Sequence, residues 1–276
     1  MLYFDLAVIF YILSFLLLIV NFHFNKMMLQ ALQTVFTGVA ALANIVALML
    51  HWQDMRQLHS YSIFDLMVFV ALALAIVYLL MNLKYKRPYL GLFLLPMIII
   101  AGLVALFAAS ESPADNLSFA MDNLWLYLHI PLIVIGTAFF LTAFATGLMY
   151  FIMEQQLKKK KFGKIFERFP SLDMLDRINR AALYIGFGSY TAGILCAAGW
   201  VSFRVTHASL FANNPDLGAS FQLKLFFAML VWVMLGIILL LKTKRGMTAR
   251  QTALASIMGF VAVLFAYAAV ALFIVR

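Results

Sequence analysis

The chain has 276 residues, of which 66% are hydrophobic and only 11% charged, with a formal net charge of +9. A mean hydropathy of +1.00 excludes a water-soluble globular domain. A single cysteine, Cys196, excludes an intramolecular disulfide and any CxxC pair for zinc or thiol transfer. Inside an apolar run it reads as a small buried residue.

Eight apolar runs follow one another, at roughly 3–21, 28–50, 63–83, 89–109, 124–153, 181–203, 222–241 and 251–275. Each is close to the length that crosses ~30 Å of hydrocarbon. Backbone groups in lipid must bond within their own segment, so the runs are expected to be helices. The expected fold is an all-α integral membrane bundle of eight transmembrane helices. It forms a single polytopic domain, with segments one to four in 1–123 and five to eight in 124–276. The first run lacks a preceding basic region and a small-residue cleavage site, so it is read as a span and not as a cleaved leader.

Basic residues fix an orientation. The connections after segments one, three, five and seven hold Lys26; Lys84, Lys86 and Arg87; Lys158 to Lys161, Lys164, Arg168, Arg177 and Arg180; and Lys242, Lys244, Arg245 and Arg250. The opposite side keeps only Arg56, Arg204, Lys224 and Arg276. Both termini are therefore expected outside. The charge reads as a topology signal with attraction to anionic lipid. Scattered over four short loops, it gives no support to nucleic-acid binding.

Along the chain, segment two carries Gln30, Gln33, Thr34, Thr37, Ala41 and Asn44 at intervals of three or four. Such a stripe faces other helices, either as interhelical hydrogen bonding or as a substrate path. Asp65 follows Ser62 in a capping-box-like spacing at the start of segment three, where a carboxylate meets the positive end of the helix dipole. In the 154–180 connection, Lys158 to Lys161 read as a solvated stop. Ser171 then reads as an N-cap with Asp173 in the first turn of a new helix. That helix either lies in the interface or lengthens segment six inward. Gly186 and Gly188, inside an apolar helix, read as close-packing positions.

Four of the five histidines, His51, His59, His129 and His207, are expected on the outer side; His23 sits beside Lys26 on the inner one. Neutral imidazole is a common ligand of metals and haem iron. His51 and His59 match no helical pair and no zinc spacing. His129 lies one to two turns inside segment five, with Trp125 on the same helix face at i−4, so its ring nitrogens need partners. It is either a satisfied packing residue or a ligand. His207 follows Arg204 by three residues, and a guanidinium fork there suits a carboxylate such as a haem propionate. Arg204 as a lone interfacial cation is the other reading. The outer acids Glu111, Asp115 and Asp122 share one loop and form no acid–base pair by spacing, and neither a phosphate loop nor a serine elbow occurs.

The text from His129 through Gly136, from Asp176 through Asn179 to Phe187, Thr191-Ala-Gly193-Ile194, Gly199-Trp200, Val231-Trp232 and Gly259 to Tyr267 resembles the cytochrome c assembly protein family (CcsA, CcmC, HemX). The stretch covers about the last half of the chain, and the layout is similar to the HemX/YpjD-like branch. The resemblance implies haem handling at the outer face, with the family's axial histidine falling on His129. The tryptophan-rich WWD loop of the family's synthases is replaced by 201–217, which holds no tryptophan. His207 then becomes the candidate second ligand, with Arg204 and Trp125 as further haem-binding candidates. These features imply a multi-pass protein of the bacterial cytoplasmic membrane that binds haem b in cytochrome or tetrapyrrole homeostasis and forms no thioether bonds itself. The other reading is a regulatory or assembly protein that binds a protein partner through the basic 154–180 loop, without haem chemistry.

Overall fold

The computed structural model describes residues 2–54, 63–86, 88–110, 124–205 and 215–274. The helices are α1 (Leu2–Phe24), α2 (Met27–Asp54), α3 (Ile63–Tyr85), α4 (Gly91–Ser110), α5 (Leu124–Lys158), α6 (Lys164–Arg168), α7 (Leu172–Val205), α8 (Pro215–Arg245) and α9 (Ala249–Ile274). A 3-10 turn, Pro88–Leu90, precedes α4. Seven of them are long and apolar enough to cross a membrane, and Ala249–Phe265 of α9 is a shorter apolar helix. The protein is an all-helical integral membrane protein.

Every apolar run became a helix, but several helices outrun their apolar core. Segment six, expected at 181–203, is one continuous α7 from Leu172, with Ser171 just before it and Asp173 in its first turn. The run marks where hydrocarbon is crossed; the helix continues into the polar zone, where nothing in Leu172–Arg180 breaks it. α6, five residues long, was not legible as a helix at all.

The chain divides into two compact units, Met1–Asp122 with Ile152–Leu172, and Asn123–Phe151 with Asp173–Arg276. In the first unit α1 packs on α2 and α4, and α3 packs on α4 and α2. The stripe of α2 faces this interior. Gln33, Thr37, Ala41 and Asn44 are buried. Gln33 and Tyr78 bond reciprocally, Nε2 donating to Oη at 2.9 Å and Oη to Oε1 at 3.2 Å. Gln33 Nε2 also donates to Ser14 Oγ (3.1 Å), and Ser14 shares a 2.7 Å hydrogen bond with Thr37. Asn82 Nδ2 donates to Thr34 Oγ1 at 2.9 Å. Of the two roles expected for the stripe, interhelical hydrogen bonding is the one these contacts support.

In the second unit α5 and α7 run antiparallel at close range. Ser189 Oγ donates to the Leu132 carbonyl (2.8 Å) and Asn179 Nδ2 to the Ala143 carbonyl (2.7 Å). Glycines permit the approach: a Cβ at Gly136 would stand 3.1 Å from the Gly186 carbonyl oxygen, and one at Gly186 2.8 Å from the Phe140 ring. Gly188 differs from expectation, since a Cβ there would meet nothing within 4 Å. A two-residue step turns a helical position by ~200°, away from the contact face. α8 joins through Trp232, whose Nε1 donates to Thr191 Oγ1 (2.8 Å) and whose ring stacks on Phe187 at 5.8 Å. α9 joins through Ser256, whose Oγ donates to Asn179 Oδ1 at 2.9 Å.

Candidate functional site

His129 stands near the start of the Tyr127–Lys158 span and is half-buried. Its Nδ1 lies 2.7 Å from the carbonyl oxygen of Gly193 on α7. A carbonyl only accepts, so Nδ1 must carry the proton and donate. The neutral ring then keeps its lone pair on Nε2, which makes no hydrogen bond among the described residues. An imidazole fixed through one nitrogen by a backbone carbonyl, with the other nitrogen presented, is the arrangement found behind metal-ligating histidines.

The local sequence builds this geometry. Gly193 brings the α7 backbone against α5: a Cβ there would lie 2.7 Å from Ile133 Cδ1. One turn before His129, Trp125 meets Gly199 in the same way, its ring 3.0 Å from where a Cβ would sit. Trp125 and His129 therefore both meet α7, although Trp125 stays 45% exposed. Pro131, inside α5, has no N–H for the Tyr127 carbonyl one turn earlier, which loosens the helix beside the histidine.

Of the other expected site residues, Arg204 falls in the last turn of α7, and His207 and His59 lie outside the described residues. His23 is exposed and bonds its own helix at the Ile19 carbonyl, 3.2 Å away. His51, in the last turn of α2, has its Nε2 3.3 Å from Asp65 Oδ1 and its ring edge-on to Phe64 at 5.0 Å. Asp65 is in the first turn of α3, as the spacing predicts, and 1% exposed. No local spacing rule links these two residues, fourteen apart in the chain. Among the described residues no three His, Cys, Asp or Glu side chains converge as a metal cage.

A second polar centre ties the other ends of α5, α7, α8 and α9. Asn179 is buried between the Ala143 carbonyl, Thr146 Oγ1 (3.2 Å) and Ser256. Nearby, Lys242 Nζ donates to Thr252 Oγ1 (2.6 Å) and the Met247 carbonyl (2.9 Å), 3.6 Å from Asp176. Asp176 also pairs with Arg180 at 3.3 Å. Lys242 counts in the sequence as an ordinary basic flank, yet its side chain is only 10% exposed. Cys196 is buried, as expected.

The family model for the cytochrome C assembly protein matches residues 60–275. The chain belongs to that family. The match starts far upstream of His129, so α3 and α4 fall within it as well. Among curated relatives, cytochrome c biogenesis protein CcsA of Chlamydomonas reinhardtii is 23% identical over 242 residues, covering 86% of this chain and 65% of the relative. The chain thus spans slightly less than two thirds of that protein's length. CcsA of Prochlorococcus marinus (strain MIT 9303) is 23% identical over 263 residues, 84% of this chain and 80% of the relative. CcsA of Synechococcus sp. (strain CC9902) is 22% identical over 257 residues, with 83% and 80% covered. Each of these relatives is named as a cytochrome c biogenesis protein.

Proposed function

We propose that this cytochrome c assembly protein holds or passes haem near the outer face of the membrane, where Nε2 of His129 would ligate the iron. The observation that carries the reading is the His129–Gly193 bond, which occupies Nδ1 and leaves the lone pair on Nε2. The donor set fits the group: haem iron arrives with four porphyrin nitrogens and asks a protein for only one or two ligands. A lone oriented imidazole with an aromatic neighbour is sufficient, where a bare transition metal would need a cage. We assign His207 as the candidate second ligand and Arg204 as the partner of a propionate. Trp125, held on Gly199, walls the side of the site one turn from the ligand. Bound haem b would supply a redox-active, low-spin iron when both histidines ligate. The residues of this chain hold, orient and shield it.

The absence of tryptophan from 201–217 supports a HemX/YpjD-like branch over the thioether-forming synthases, and the basic connections on one side support both termini outside; we place it in a bacterial cytoplasmic membrane. Absorbance of the purified protein in mild detergent, reduced minus oxidised, tests the reading. A Soret band that His129→Ala removes or shifts is the expected outcome. No band after haem is added would sink haem binding; a band unchanged in both His129→Ala and His207→Ala would sink only the ligand assignment.

A further inference from the structure

The first unit gathers three basic segments at one end through a single run of contacts. Tyr89 Oη donates to Asn25 Oδ1 in the α1–α2 turn (3.1 Å), and Arg168 Nη1 on α6 donates to Tyr89 Oη (3.1 Å). Phe169 is buried and meets Phe93 at 6.3 Å. These anchors tie the α5–α7 connection to the ends of α1 and α4, at the level where four apolar spans stop.

What remains outward is positive. Lys159, Lys160, Lys161 and Lys164 are exposed, with Phe162 between them 62% exposed and edge-on to Phe166 at 5.0 Å. Lys26, Lys84 and Lys86 are exposed on the two neighbouring turns. Two acids accompany them there: Glu154, held by Lys158 at 2.8 Å, and Glu167. In the second unit three basic groups there meet carboxylates: Arg177 on Asp173 at 2.9 Å, and Arg180 and Lys242 on Asp176. Helix dipoles account for Lys86 and Lys160, which close α3 and α5. Lys26 stands between the end of α1 and the positive end of α2, and Lys161 lies beyond the end of α5.

We infer that this end of the first unit is a binding surface for anionic phospholipid headgroups. Its lysines meet the phosphates, and Phe162 enters the acyl boundary. Uncompensated lysines at the hydrocarbon limit with an exposed aromatic among them match a charged headgroup above apolar chains.

The test uses the full chain, delipidated in detergent and titrated with phosphatidylglycerol or phosphatidylcholine under native mass spectrometry. Phosphatidylglycerol is expected to bind about tenfold more tightly, with the preference falling as salt rises. The variant carrying Lys159→Gln, Lys160→Asn, Lys161→Gln and Lys164→Gln is expected to lose most of it, whereas Lys244→Gln in the second unit keeps it. Asn at 160 suits the left-handed backbone there, φ 50°. Equal binding of the two lipids by the unaltered protein overturns the inference. So does a preference that survives the four substitutions, or one indifferent to salt. Capture of an acidic protein by the lysines with no lipid preference overturns it too. The salt series needs no variant to fold.

Discussion

Gly193 presents its carbonyl oxygen 2.7 Å from Nδ1 of His129, and its missing side chain is what lets α7 come close enough to do so. A methyl group at 193 would sit 2.7 Å from Ile133 Cδ1 and 3.3 Å from the Ile133 nitrogen. The side chain can rotate away but the backbone cannot. Gly193→Ala is expected to destabilise the second unit by about 1–3 kcal/mol, the usual cost of overpacking. It should also displace the His129 ring, so added haem should bind more weakly and with an altered Soret position. Thermal unfolding in detergent reads the first effect and haem titration the second. Ile133→Ala in the same chain should recover part of the stability. Recovery of neither property would mean that the steric account is wrong.

The glycines of the second unit are not equivalent, and the difference is measurable. A Cβ at Gly147 would stand 2.9 Å from the backbone carbonyl of Ala253 on α9, while one at Gly188 meets nothing within 4 Å. Gly147→Ala should separate α5 from α9 at a cost of about 1–3 kcal/mol. Gly188→Ala relieves the helix penalty of glycine and should be neutral or stabilising by up to about 1 kcal/mol. Melting temperatures of the two variants should therefore move in opposite directions, or Gly188→Ala should not move at all.

The two glycines also mark where the sequence stops being informative. Apolar length located the spans, because lipid enforces helices whatever the neighbours are. The three-and-four spacing from Gln30 to Asn44 predicted an interior face, and burial of Gln33, Thr37 and Asn44 bears it out. Ser171 and Asp173 marked the start of α7 by local capping chemistry. Partners across the fold were hidden. Nothing near Lys242 announces Asp176, and nothing near His51 announces Asp65, because both pairings depend on how helices dock. At His129 the sequence supplied the chemical type and its turn in the helix. The decision of which nitrogen is free came from the Gly193 carbonyl, contributed from 64 residues away.

Lys242 offers a test of that hidden pairing. Its ammonium is held by Thr252, the Met247 carbonyl and Asp176, so it pins the α8–α9 turn to α7. Lys242→Met keeps the stem but leaves Asp176 with Arg180 as its remaining ion-pair partner. A loss of about 1–3 kcal/mol is expected, since charge-assisted contacts are removed while a mostly buried carboxylate stays. Asp176→Asn added to Lys242→Met should give part of it back. Lys244→Gln, at an exposed position on the same helix, should change stability by less than about 0.5 kcal/mol. If both lysine variants behave alike in unfolding titrations, Lys242 is an ordinary flanking charge after all.

The Gln33–Tyr78 pair lets the polar seam of the first unit be apportioned. Gln33 reaches three partners: Tyr78, Ser14 and Thr37, the last at 3.3 Å. Tyr78 is fully buried. Tyr78→Phe removes one hydroxyl and leaves the Gln33 amide bonded to Ser14 and Thr37, so its cost should be small, about 0.5–1 kcal/mol. Gln33→Leu deprives a buried phenol of its amide partner and strips Ser14 and Thr37 of a donor, so about 1–2 kcal/mol is expected. Once Gln33 is leucine, the phenol has lost its amide partner, and adding Tyr78→Phe should cost less than it does alone. A double-mutant cycle by denaturant titration in detergent should therefore show a coupling of about 0.5–1.5 kcal/mol. Additivity of the two variants would mean that the seam packs as separate helices and not as one hydrogen-bonded unit.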